Sequence, residues 1–210
     1  MRALILVDIQ NDFIPGGALA VGHGDEVVAI ANRLMPHFDM VAATQDWHPK
    51  RHGSFASTHG LAVGEMIDLN GLPQVLWPDH CVQETYGADF AADLNVEGIN
   101  DVVRKGSDIG IDSYSGFFDN GHRKATGLEE LLRARGVDEV YVMGLATDYC
   151  VKATALDAAR LGFKTHVILE GCRGVNLRNG DLEKAIEDMA RAGVVILINS
   201  DLWMMQPETL

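Results

Sequence analysis

The sequence predicts an α/β fold built on a mostly parallel sheet with helices on both faces, and three observations predict it. Short apolar runs alternate with helix-forming segments along the chain. The runs are nearly continuous rather than alternating in and out, so both of their faces are covered. Asp8, Asp46, Lys105 and the turn at Cys150 each stand just past the end of a run, and strand C-termini are where such sheets bind ligands.

Leu4 to Val7 is the first strand, and Asp8 ends it. Ile9 to Gly17 is a loop broken by Pro15-Gly16-Gly17. A helix opens at Gly24 or Asp25 and runs to about Met35, with Val27, Val28, Ile30, Ala31 and Leu34 on its apolar face. Met40 to Thr44 is the second strand, followed by Asp46. From Trp47 to about Asn95 the pattern is irregular and carries His48, His52, His59 and His80. A loop region this long in a compact domain is usually functional. Asp101 to Arg104 is the third strand, ending at Lys105, and Gly106 to Gly121 is a polar connection. Thr126-Gly127-Leu128-Glu129 reads as a capping box for a helix that reaches Arg135 and stops at Gly136. Val140 to Met143 is the fourth strand. Ala146 to Leu161 contains a helix with Cys150 in its first turn. Lys164 to Leu169 is the fifth strand, Asp181 to Ala192 a helix stopped by Gly193, and Val194 to Ile198 the sixth strand.

The chain of 210 residues reads as one domain over 1–210, large enough for a full core. A formal charge of −13 argues against nucleic acid and anionic membrane as partners. The N-terminal apolar run is too short for a signal peptide or a membrane span. Cys81, Cys150 and Cys172 are an odd number at long spacings, so no disulfide framework is implied and a reducing cytoplasm fits.

A thiol in the first turn of a helix faces unpaired N–H groups and the positive dipole end, which lowers its pKa and makes it a nucleophile. Cys150 is therefore the candidate nucleophile, against the commoner fate of a small buried hydrophobe. The N–H groups of Ala146 and Cys150 could face an oxyanion in the turn. Asp8 at a buried strand end is costly unless paired or useful, and could exchange a proton with the thiol. Lys105 could hold that carboxylate; on those two residues alone a structural ion pair serves as well, and Cys150 tips the balance to catalysis. Asp46 and His48, two residues apart in an extended segment, point the same way and can share one ion. His52, His59 and His80 are further candidates. Nitrogens plus one carboxylate suit zinc, with iron or manganese as alternatives. Phe13 and Trp77 could sandwich a flat ring or simply pack the core.

In this order the chain carries Asp8-Ile9-Gln10-Asn11-Asp12-Phe13, Asp46-Trp47-His48-Pro49, Trp77-Pro78-Asp79-His80-Cys81-Val82, Arg104-Lys105-Gly106 and Gly144-Leu145-Ala146-Thr147-Asp148-Tyr149-Cys150-Val151. It resembles the nicotinamidases (pyrazinamidases) of the isochorismatase-like cysteine hydrolase superfamily over nearly its whole length. The resemblance implies a Rossmann-like three-layer sandwich, with a six-stranded, mostly parallel sheet and a metal-binding loop region at about 46–95. It implies Asp8 as base, Lys105 as its partner and Cys150 as nucleophile, with Ala146 and Cys150 forming the oxyanion hole after a cis Leu145–Ala146 bond. It assigns Asp46, His48 and His80 to one divalent metal, Zn2+ before Fe2+ or Mn2+; His52 or water completes the set. Phe13, Trp77 and Tyr114 would contact the substrate. The implied reaction takes nicotinamide to nicotinate and ammonia through a thioester, as in NAD salvage, with pyrazinamide hydrolysed as well. A homo-oligomer stays open. Two other readings compete: a hydrolase of ureido, carbamoyl or isochorismate substrates, and a binding module without catalysis. The isochorismate branch lacks the cysteine, the amide branches generally lack this metal set, and a binder has no need of all three catalytic residues. A dinucleotide-binding domain fails because no G-x-G-x-x-G follows the first strand.

Overall fold

The computed structural model describes residues 1–198. Its core is a six-stranded sheet, all neighbours parallel. The elements run β1 (Arg2–Val7), α1 (Glu26–Leu34), β2 (Met40–Asp46), α2 (Ala56–His59), β3 (Met66–Leu69), β4 (Leu72–Val75), β5 (Asp101–Lys105), α3 (Leu128–Ala134), β6 (Glu139–Leu145), α4 (Lys152–Arg160), β7 (Lys164–Arg173), α5 (Asp181–Arg191) and β8 (Val195–Leu197). The strand order is β5-β2-β1-β6-β7-β8. The three strands β1, β2 and β6 are buried almost end to end, as their unbroken apolar runs require when helices cover both faces. Right-handed crossovers put α1 on one face and α3, α4 and α5 on the other, because the chain steps in opposite directions on the two sides of β1.

That change of direction fixes where a site can form. From β1 the chain goes to β2 and β5 on one side and then returns to β6 on the other. The crevice at the C-terminal ends of β1 and β6 is therefore a topological switch point. Asp8, Asp46, Lys105 and the segment from Ala146 to Cys150 all border it.

Four local expectations need correction. The region from Trp47 to Asn95 is not wholly irregular, since β3 and β4 form an antiparallel hairpin there; Asn70-Gly71, both at positive φ, make its turn. The fifth sheet strand, β7, runs four residues further than expected, to Arg173, across an irregularity opposite Val142 and Gly144. Thr126 and Glu129 do not form a capping box. The Thr126 N–H donates to the Phe117 carbonyl and its hydroxyl donates to the Gly116 carbonyl, while Glu129 pairs with Arg133 one turn on. Finally, Cys150 lies in a five-residue π-helical turn, Thr147–Val151, before α4 begins.

Candidate active site

Asp8 continues β1 with a positive φ of 48°, which turns its side chain off the strand into the crevice. Its N–H donates to Thr44 Oγ1 at 3.2 Å, and that hydroxyl donates back to Asp8 Oδ1 at 2.6 Å. Lys105 Nζ stands 2.8 Å from Asp8 Oδ2, 2.8 Å from Asp46 Oδ1, 2.9 Å from the Ser113 carbonyl and 3.4 Å from Cys150 Sγ. One buried ammonium thus ties Cys150, Asp8 and Asp46 together. The Leu145–Ala146 peptide is cis. The Ala146 carbonyl accepts the N–H of Tyr149 and, five residues on, that of Val151, and this wide turn carries the thiol to Lys105.

The electrostatics refine the expectation for the thiol. Burial pushes the Cys150 thiol well above the ordinary range; Lys105 pulls it down, and Asp8 and Asp46 push it up again. The helix-terminus argument fails here because solvent exclusion and two carboxylates outweigh one cation. Burial also raises Asp8, against the pull of Lys105. Asp46 goes the other way: burial would raise it, but His48 and Lys105 together hold it well below the usual carboxylate range. Burial opposes the charge on Lys105, yet Asp46 and Asp8 outweigh it and keep the ammonium charged.

Asp46, His48 and His80 are all buried, and their ligand atoms lie within 4.8 Å of one another. Asp46 Oδ2 is 3.1 Å from His48 Nε2 and 3.5 Å from His80 Nε2. Each imidazole donates its other N–H to a backbone carbonyl: His48 Nδ1 to Gly106 at 2.8 Å and His80 Nδ1 to Pro78 at 2.7 Å. That leaves Nε2 of both rings aimed at the carboxylate, the arrangement that orients histidines toward a metal. Burial works against a charged His48, but Asp46 and Asp112 lift it to about 9. The donor set therefore fits a divalent cation, and two nitrogens with one oxygen suit zinc.

His52 stacks near His48, ring centroids 4.3 Å apart, but its nitrogens are engaged by Ser54 Oγ at 2.7 Å and the Asp108 carbonyl at 2.8 Å. His59 lies outside the cluster and bonds the Gly53 carbonyl. Phe13, Trp77 and Tyr114 line one pocket with Asp46, His80, Ala146 and Cys150. Trp77 Nε1 donates to Tyr114 Oη at 3.1 Å, which fixes the indole. Sequence reasoning missed Tyr149, packed edge-on against Trp77 at 4.9 Å, and Asp112, both of which line the same pocket. Nothing local marks Asp112, whereas Tyr149 stands beside Cys150 in the motif around that cysteine. Gln10 was seen only as part of a motif. It bonds Asp46 N–H and the Asp46 and Ala88 carbonyls, locking the metal-side loops to β1.

Residues 2–200 match the family described as the Isochorismatase domain. The chain is 52% identical over 204 residues to the nicotinamidase of Escherichia coli (strain K12), covering 95% of this chain and 96% of that one. It superposes on an Acinetobacter baumanii nicotinamidase/pyrazinamidase with a TM-score of 0.92 at 48% identity, covering 96% and 97% of the two chains. It also superposes on the pyrazinamidase of Pyrococcus horikoshii in complex with zinc, with a TM-score of 0.77 at 37% identity over 94% and 98%.

Proposed function

This chain belongs to the isochorismatase-domain family, and we propose that within it the protein is a metal-dependent cysteine amidohydrolase that converts nicotinamide to nicotinate and ammonia. The observation that carries this reading is Lys105 Nζ, within 3.4 Å of Cys150 Sγ and 2.8 Å of both Asp8 and Asp46. A thiol, a base and a cation site share one small pocket lined by aromatics. The nicotinamidases similar to it over nearly its whole length support the substrate. The site belongs to a single hydrolase domain over 1–210, with the metal-binding loops at about 46–95.

Asp46, His48 and His80 would hold one divalent cation, zinc, which when bound would supply Lewis acidity to the substrate ring. Phe13 and Trp77 flank the ring, with Tyr114 beside them, and set the carboxamide carbon against Sγ. Asp8 takes the thiol proton as Sγ bonds to that carbon, and Lys105 steadies both charges. The N–H groups of Ala146 and Cys150 hold the oxyanion. The C–N bond breaks, Asp8 returns the proton to the leaving ammonia, and a thioester remains. Asp8 then deprotonates water, which attacks the thioester; nicotinate leaves and Sγ regains its proton. Pyrazinamide, a ring amide of the same size, follows the same path. The three cysteines are free and buried, which suits a reducing cytoplasm, and no helix among the described residues is long and apolar enough to cross a membrane. Ammonia release from nicotinamide, measured beside a carbamoyl amide, tests the assignment. Turnover of nicotinamide is expected, and exclusive turnover of the carbamoyl compound would overturn it.

A further inference from the structure

The pocket contains a buried carboxylate that the reaction above leaves unused. Asp112 is 2% exposed, in the loop after β5. Its Oδ1 accepts the Ser113 N–H at 2.7 Å and its Oδ2 accepts Gln74 Nε2–H at 3.1 Å. Both donors are neutral. Among the described residues, the ionisable nitrogen it meets within ion-pair distance is His48 Nε2, 4.0 Å from Oδ1. That imidazole already serves Asp46 at 3.1 Å, and a buried carboxylate without a close partner of its own is costly to maintain.

Lys105 already serves Asp8 and Asp46, at 2.8 Å each, so Asp112 is a third buried carboxyl group of the site without an ammonium of its own. Asp112 is not placed to touch a cation seated among Asp46, His48 and His80. It belongs instead to a second set with His48 and His52, and the His52 nitrogens already face Ser54 and Asp108. We propose that Asp112 is a positioning residue for the cation site. It holds the ion by charge and through the ion's hydration shell, with Gln74 and the Ser113 N–H fixing its carboxylate. This inference rests on the cation bound by Asp46, His48 and His80 in the reading above.

The test is Asp112→Asn, which keeps the shape and removes the charge. Zinc affinity is measured by calorimetry or chelator competition on the full chain, beside melting with and without zinc. The variant is expected to bind zinc 10- to 100-fold more weakly, the range typical of outer-shell partners (roughly), and to lose part of the zinc-induced rise in melting temperature. A structural role alone would lower melting equally with and without zinc and leave the affinity unchanged; that result overturns the proposal. Should Asp112→Asn fail to fold by circular dichroism, Asp112→Ser carries the same measurement with the same two outcomes. Absence of zinc binding by the wild-type chain overturns the cation reading itself, whereas equal binding by wild type and variant overturns only the role of Asp112.

Discussion

Cys150 illustrates what one residue discloses in sequence and what it does not. Its place beyond a buried strand marked it as reactive; its proton affinity depends on groups more than 40 residues away in sequence, Lys105, Asp46 and Asp8. Burial raises both the thiol and Asp8, and Lys105 pulls both down. The sign of the pH dependence follows. The proposed reaction needs Asp8 deprotonated, and burial raises its pKa, so protonation sets in at higher pH than for an ordinary aspartate. The acid limb of kcat/KM is therefore expected to have its midpoint above about 4, and a midpoint at or below that value in a pH–rate profile contradicts the assignment. Asp8→Asn should lower kcat by roughly 10²- to 10⁴-fold while leaving the fold intact by circular dichroism. Lys105→Met differs in kind. It strands Asp8 and Asp46 as buried charges, and denaturant unfolding should show a loss of about 3–5 kcal/mol. Asp112 escaped sequence reading because a pocket wall is assembled from distant loops and leaves no local periodicity.

At the scale of elements, strands were the most legible feature, because burial on two faces forces unbroken apolar runs. Their ends were less so. The extension of β7 to Arg173 passes Glu170, Gly171 and Cys172, a stretch whose polarity hides its pairing with Gly144 and Leu145. The π-helical turn at Cys150 was invisible too, since an α-turn and a π-turn draw on the same residues. Two glycines at strand ends are required by contact. A Cβ on Gly144 would fall 2.1 Å from the Val7 carbonyl oxygen in the centre of the sheet. Gly106 has φ +64°, and a Cβ there would fall 2.5 Å from His48 Cε1. Gly106→Ala should therefore displace the His48 ring, and titration with zinc should show weaker binding than wild type. Unchanged zinc affinity in that variant would contradict the role given to this loop.

The whole molecule is a strongly acidic chain, −13 by formal charge, that gathers two carboxylates, Asp8 and Asp46, around one lysine at the switch point of its sheet. The strand order, which no single segment reveals, is what brings Asp8, Asp46, Lys105 and Cys150 to one edge. A cation bound by Asp46, His48 and His80 in the folded chain would stabilise it by linkage, so chelation should destabilise the fold. At zinc concentrations about 100-fold above Kd the linkage is worth about 2.7 kcal/mol, or roughly 5–10 °C of melting temperature for a domain of this size. A scan with and without chelator that shows no shift would count against the metal site. The central claim is that Cys150 attacks a ring carboxamide held in this pocket, and paired ammonia assays on nicotinamide test it most directly. The wild-type chain should release ammonia and nicotinate in equal amounts, and Cys150→Ala, still binding zinc, should release none above background. Inactivity of the wild type with zinc bound, or substantial turnover by the variant, would contradict it.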